Sequence, residues 1–300
     1  MQNKRIATPV LDIAYLEFGE PDGWPCVLSH GFPYDPLCYI ESAEIIAANG
    51  ARVIVPWLRG YGPTQFLSPD TPRSGEQAAL AADLRDLLDA LSIDRAVLAG
   101  YDWGGRAACI VAALYPERVE ALVTVNGYNL QNIAKCNEPA PAALEAGFWY
   151  QYFFHSERGR RGLQRDRNDI CKLLWKMWSP DWAFDEDTFA ATAQSFQNPD
   201  FVDVVIHSYR HRYALVPGDP ACAHIETQLT AQPDINVPTI IIDGASDGVH
   251  PPSTATHGKF TRLLEYRVLP GIGHNPAQED PAAWADAVLA ARKMSHGEGG

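Results

Sequence analysis

One short stretch, Leu98-Ala99-Gly100-Tyr101-Asp102-Trp103-Gly104-Gly105-Arg106, sets an aspartate between glycines where an apolar run gives way to small residues. The pattern G-x-D-x-G at a strand–turn–helix junction puts one side chain at the tip of a sharp turn. The flanking glycines let neighbouring backbone come close. The N–H groups that open the following helix favour negative charge there. A carboxylate in this place differs from a hydroxyl in what it can attack. Against a carbonyl carbon it would form a high-energy anhydride, whereas against a saturated carbon with a strained or good leaving group it forms an alkyl ester. It has no proton to lose, so a histidine would be left free to activate water in a second step.

Such a histidine is available at His274, in Gly271-Ile272-Gly273-His274, just past the last strand-like run. Asp247, in Asp243-Gly244-Ala245-Ser246-Asp247, ends the run before it and could orient His274, with Asp243 as its competitor. Both lie at the carboxyl ends of strands, where open α/β sheets build their sites. The other histidines fit less well. His30 precedes Asp102, His207 and His211 fall in a helical, aromatic stretch, and His250 and His257 sit beside a helical segment.

The elements that must position these residues read as an alternating α/β series. Residues 6–18 alternate enough for one or two strands near a sheet edge, and buried strands are expected at 26–33, 51–62, 95–102, 119–127, 238–247 and 266–274. Leu80, Leu84, Leu87, Leu88 and Leu91 recur at helical spacing within 76–92, and residues 104–115 suit a helix packed on a sheet. Near-continuous apolar strands alternating with helices imply a mostly parallel sheet flanked by helices. Residues 128–225 break the rhythm. They hold four of the eight tryptophans (Trp149, Trp175, Trp178, Trp182) and no strong strand pattern. The expected organisation is a core of 1–128 and 226–300 with a helical cap, 129–225, inserted between.

Composition narrows the partners. The net charge of −13, with no Lys/Arg-rich run to offset it, argues against nucleic acid and anionic membrane. The start has no apolar leader, and no stretch approaches the roughly 18 apolar residues of a membrane span. The six cysteines are scattered without CxxC or Cys/His metal spacing. A cytoplasmic protein with reduced thiols, no metal and no cofactor is expected, with a frayed GEGG tail. Its partner would be a small-molecule substrate, and a homodimer is left open.

Taken together, His30-Gly31-Phe32-Pro33, Arg59-Gly60-Tyr61-Gly62, the Asp102 turn, DGASD and GIGH resemble the α/β-hydrolase superfamily, specifically its aspartate-nucleophile branch. That branch contains epoxide hydrolases, haloalkane dehalogenases and fluoroacetate dehalogenases. The resemblance covers about 26–128 and 238–290. It implies an α/β-hydrolase fold with Asp102 as nucleophile, His274 as base and Asp247 as acid, in the family's chain order. The backbone N–H groups of Phe32 and Trp103 would form the oxyanion hole. Some relatives carry the acid after the fourth run, where this chain has Asn126.

The leaving group is implied by the cap. Soluble-type epoxide hydrolases resemble this chain in an early Tyr-Gln pair, here Tyr150-Gln151, and a late Tyr-Arg pair, here Tyr209-Arg210. By that likeness Tyr150 and Tyr209 would donate to the epoxide oxygen, with Tyr152 competing. A dehalogenase is the alternative, for which Trp103 with Trp175 or Trp178 could bind halide. A haloacid enzyme would want two arginines near the nucleophile, and only Arg106 stands there. Another α/β-hydrolase activity and a non-catalytic ligand binder are the remaining readings. Epoxide opening is the first expectation.

Overall fold

The computed structural model describes residues 1–297; the last three residues of the GEGG tail, and the fraying expected there, lie outside the described residues. Nine strands form one sheet: β1 Gln2–Ala7, β2 Leu11–Phe18, β3 Trp24–Ser29, β4 Ala51–Pro56, β5 Gln65–Phe66, β6 Ala96–Gly100, β7 Val119–Val125, β8 Thr239–Gly244 and β9 Leu263–Leu269. Their order is β1-β2-β4-β3-β6-β7-β8-β9, with the two-residue β5 on β2. The first segment is two strands, an antiparallel hairpin at the edge, and β4 onward run parallel. Pattern follows position. The edge strand β1 is mostly exposed, whereas every residue of β6 and β8 is buried, as strands covered on both faces require.

The helices are α1 Ile40–Ala48, α2 Gln77–Ala90, α3 Asp102–Leu114, α4 Ala142–Gly147, α5 Trp149–His155, α6 Glu157–Trp178, α7 Glu186–Ala193, α8 Phe201–His211, α9 Ala223–Leu229, α10 Pro276–Glu279 and α11 Pro281–Ser295. α2 packs with α3, and α1 with α11, against the sheet. The leucine stripe works as its spacing implies: Leu80, Leu84, Leu87 and Leu88 are all buried. Helices α4 to α9 fill the chain between β7 and β8, and α6 breaks at Asp166, whose φ of −123° leaves the helical range. Among the described residues no helix is long and apolar enough to cross a membrane, and all six cysteines are free thiols.

This helical insert is stitched to the loops that follow β3, β8 and β9. The Trp175 indole donates to the Pro33 carbonyl at 2.8 Å, and the Gly248 N–H donates to the Trp178 carbonyl at 3.0 Å. The His274 N–H donates to Ser179 Oγ at 3.0 Å, and that hydroxyl donates to Glu279 at 2.6 Å. Glu279 also accepts the N–H groups of Gly273 and Asn275, at 2.6 and 2.9 Å. One carboxylate thus braces both sides of the loop that carries His274.

The turn from β6 into α3 is tight enough to explain its glycines. A Cβ on Gly104 would lie 2.0 Å from the Ser29 carbonyl oxygen, and one on Gly31 would lie 2.4 Å from Asp102 Cβ. Asp102 itself has φ +49°, a strained region for a residue with a side chain, which costs about 1–3 kcal/mol that the surrounding packing must offset. The carboxylate is thereby thrown forward over the ends of β3 and β6. Gly104→Ala should destabilise the fold by about 1–3 kcal/mol or more, since rigid backbone must give way. Chemical denaturation reads this directly, and an unchanged midpoint would contradict the packing described.

Candidate active site

Asp102 opens α3 and is partly buried. Its Oδ1 accepts the Phe32 N–H at 2.7 Å, which ties the elbow to the loop after β3. That loop is held in turn by His30. Its Nδ1 lies 3.0 Å from the Gly31 carbonyl and its Nε2 accepts the Leu58 N–H at 3.2 Å, an arrangement that requires the neutral ring with the proton on Nδ1. Burial pushes the His30 pKa down to about 4, consistent with that form.

The structure brings His274 and Asp247 together. His274 Nδ1 lies 2.9 Å from Asp247 Oδ2, and since a carboxylate only accepts, the proton sits on Nδ1 and Nε2 is left over. Asp247 Oδ1 accepts the N–H groups of Val249 and His250 at 2.7 and 3.0 Å. Burial opposes charge on both partners, yet their mutual attraction wins: Asp247 is held below the usual carboxylate range and His274 above the usual imidazole range. The negative charge of Asp102 also raises His274, which places the two within electrostatic reach.

Asp243 is engaged elsewhere. It accepts from the N–H groups of Asn126 and Ser253 and from the Tyr266 hydroxyl, at 3.0, 3.0 and 2.8 Å. Asn126 is a neighbour of the pair, its amide donating to Asp247 Oδ2 at 3.3 Å.

Around Asp102 the insert and the core supply an aromatic wall. The Phe32 ring centre lies 5.8 Å from Trp103 and 5.4 Å from Tyr209, and Tyr150 and Tyr209 meet edge to face at 5.2 Å. Both tyrosines are buried, and burial raises both phenols above their ordinary value, with Asp102 adding to the effect. They are therefore neutral O–H donors. The Tyr150 hydroxyl accepts from the Gln151 amide at 3.0 Å, while the Tyr209 hydroxyl has no partner among the described residues. The competing Tyr152 is 41% exposed and bonds Glu145 on the outer side of α5.

Trp175 is a correction. Its N–H is spent on Pro33, its ring stacks on Tyr34 at 4.9 Å, and it anchors the insert without offering a donor to the site. Trp178, nearly one helical turn on, is the α6 tryptophan at the site: its ring lies 5.1 Å from both His274 and Tyr150, and its buried N–H has no partner among the described residues. Arg106 Nη1 donates to the Asn129 carbonyl at 3.0 Å while its Nε is buried and unpartnered.

Sequence reasoning overlooked several residues here. Buried, unpartnered hydroxyls on Tyr34 and Tyr61 add to those of Tyr209 and the indoles of Trp103 and Trp178. Buried polar groups are normally satisfied, so such a cluster beside a carboxylate is the mark of a place where ligand or water completes the bonding. Tyr34 and Tyr61 adjoin quoted motifs, HGFP and RGYG, and adjacency was the available signal. His250, which the sequence places beside a helical segment, is a neighbour of the catalytic candidate His274. It falls 6.4 Å from the His274 ring, with burial lowering its pKa to about 4.

Comparison with known proteins agrees with this architecture. The family model of the alpha/beta hydrolase fold matches residues 25–281, and the chain belongs to that family. It is related to epoxide hydrolases. A Klebsiella pneumoniae protein of known structure, described as a candidate epoxide hydrolase, is 45% identical with a TM-score of 0.96 over 97% of both chains. Epoxide hydrolase 4 of Mus musculus is 32% identical over 51% of this chain and 42% of its own length. Epoxide hydrolase A of Mycobacterium tuberculosis is 29% identical over 46% of this chain and 42% of its own. These curated matches thus span less than half of each relative. A variant of potato epoxide hydrolase shares the fold at TM-score 0.77 with 20% identity.

Proposed function

We propose that the protein hydrolyses an epoxide to a diol through an alkyl ester on Asp102. The observation that carries the reading is the Asp102 carboxylate, one oxygen held at 2.7 Å by the Phe32 N–H, with neutral tyrosine hydroxyls in the same aromatic pocket. The oxygen not held by Phe32 attacks an epoxide carbon, the C–O bond breaks, and Tyr209 or Tyr150 gives its proton to the leaving oxygen. His274 Nε2 then takes a proton from water, whose oxygen adds to the ester carbonyl. The oxyanion develops on Oδ1, stabilised by the Phe32 N–H and, in this reading, the Trp103 N–H. Collapse breaks the bond between the acyl carbon and the alkoxy oxygen, His274 gives its proton to the departing alkoxide to complete the diol, and the proton left on the Asp102 carboxyl restores the tyrosine. Asp247 holds His274 in the required tautomer throughout.

The two steps communicate through charge. Asp102 in its free form helps hold the His274 pKa up, and esterification removes that negative charge. The histidine is therefore a more readily neutral base once the ester exists, which is when it is needed.

A halide-displacing activity is the second reading, favoured by the unpartnered indoles of Trp103 and Trp178. A panel of epoxides, haloalkanes and haloacids, scored for diol and for halide, separates the two. Diol from epoxides is expected, with His274→Gln stopping at a covalent adduct of substrate mass; halide without diol would overturn the proposal. The pH dependence follows from the sign of the histidine shift. Because His274 must be neutral to activate water and its folded pKa lies above 6.5, turnover should fall as pH drops through that raised value, with ester accumulating. A rate that stays flat from neutral down to pH about 5 would contradict the role given to His274.

A further inference from the structure

Three consecutive N–H groups in the loop after β9 end on one carboxylate. Those of Gly273 and Asn275 donate to Glu279 directly, at 2.6 and 2.9 Å. Between them the His274 N–H donates to Ser179 Oγ at 3.0 Å, and the Ser179 hydroxyl donates onward to Glu279 at 2.6 Å. Successive N–H groups that converge in this way make a cradle for negative charge. Two of the three connections are closed by α10, which carries Glu279. The third, belonging to the histidine itself, passes through the insert.

The end of α6 is shaped to sit there. Ser179 is fully buried, and a Cβ on Gly273 would lie 2.5 Å from Ser179 Cα. On the other side, a Cβ on Gly248 would lie 2.0 Å from the Met177 carbonyl oxygen, and the Gly248 N–H donates to the Trp178 carbonyl at 3.0 Å. Neither glycine has a positive φ, so close approach by the insert is what excludes a side chain at both. Residues 177–179 are wedged between the loop of Asp247 and the loop of His274. The Trp178 ring lies 5.1 Å from the imidazole.

Glu279 also acts on the imidazole through space. Burial lowers the His274 pKa; Asp247 raises it most, and Asp102 and Glu279 add in the same direction. The remaining titratable neighbours are neutral at working pH. His250 faces the ring from the Asp247 loop with a pKa of about 4, and burial keeps the Tyr101 phenol protonated. From α6 the ring meets Trp178 and Ser179, which carry no charge.

We propose that Ser179 and Glu279 are positioning residues for water activation, holding the His274 backbone so that seating of the insert is required for ester hydrolysis but not for ester formation. This rests on the ester reading above. Asp102 is placed independently, by the Phe32 N–H, and α6 is also seated through Pro33 and Gly248. The test uses enzyme in excess over epoxide, with the ester followed by intact mass spectrometry. Ser179→Ala should leave ester formation within about threefold of native and slow ester loss by about tenfold or more, the scale of a buried N–H left unpaired. Equal slowing of both steps, or of neither, would overturn the assignment. Glu279→Gln distinguishes positioning from damaged packing. Removing a negative charge that raises His274 should move the acid limb of ester hydrolysis to lower pH, and the imidazole titration seen by NMR with it. Glu279→Asp, with the charge kept and the reach shortened, should hold the limb near native while ester loss slows. A slow Glu279→Gln enzyme whose limb has not moved would reduce Glu279 to a packing role and contradict the proposal. The NMR titration needs no substrate. Should no epoxide form an ester, the ester reading falls, while a lowered titration in Glu279→Gln still supports the action of Glu279 on His274 and an unmoved one overturns it.

Discussion

The contact on which the rest of the molecule depends is the one between the β3 loop and the start of α3. Two glycine approaches close this contact, Gly31 onto Asp102 and Gly104 onto Ser29, while Gly100 against Gly104 tightens the turn from β6 into α3. Its product is a carboxylate in a strained backbone position with one oxygen already occupied by the Phe32 N–H. A flexible aspartate could present either oxygen in any direction. Here the geometry differentiates them, since Oδ1 alone is held by the Phe32 N–H, and the proposed mechanism uses that difference. Preorganisation of this kind costs folding energy and returns it as electrostatic stabilisation at the moment charge develops.

The insert does two jobs on that foundation. It closes the site with aromatic surface from Tyr150, Trp178 and Tyr209, and it fixes the His274 loop through Ser179 and Glu279. Excluding water strengthens each charge interaction inside, which is visible in the opposed shifts of Asp247 and His274. The same exclusion leaves a set of polar atoms without partners. Among the described residues these include the Tyr209 hydroxyl and the Trp103 and Trp178 N–H groups.

Much of the core was legible because it is local. Gly100 to Gly105 encodes the elbow within a few residues, and the apolar runs that became β3, β6, β7 and β8 are continuous stretches. The choice between Asp243 and Asp247 needed coordinates, because both sit at one strand end and only hydrogen bonding tells them apart. Trp175 and Trp178 illustrate the same limit. Three positions apart on α6, they share a helical face in the sequence, yet among the described residues one N–H meets Pro33 and the other has no partner. Partners more than a hundred residues away decide such cases, and periodicity carries no trace of them. Glu279, which accepts the Ser179 hydroxyl of the insert and braces the His274 loop, leaves no trace in the sequence for that reason.

The central claim is that Asp102 contributes an oxygen to the product and recovers one from water. A single turnover in ¹⁸O-labelled water, with enzyme in excess over epoxide, measures this directly. The account predicts unlabelled diol and one ¹⁸O in the peptide containing Asp102, read by mass spectrometry after digestion. Labelled diol from the first turnover, with Asp102 unlabelled, would mean that water attacks the epoxide directly and would contradict the ester mechanism.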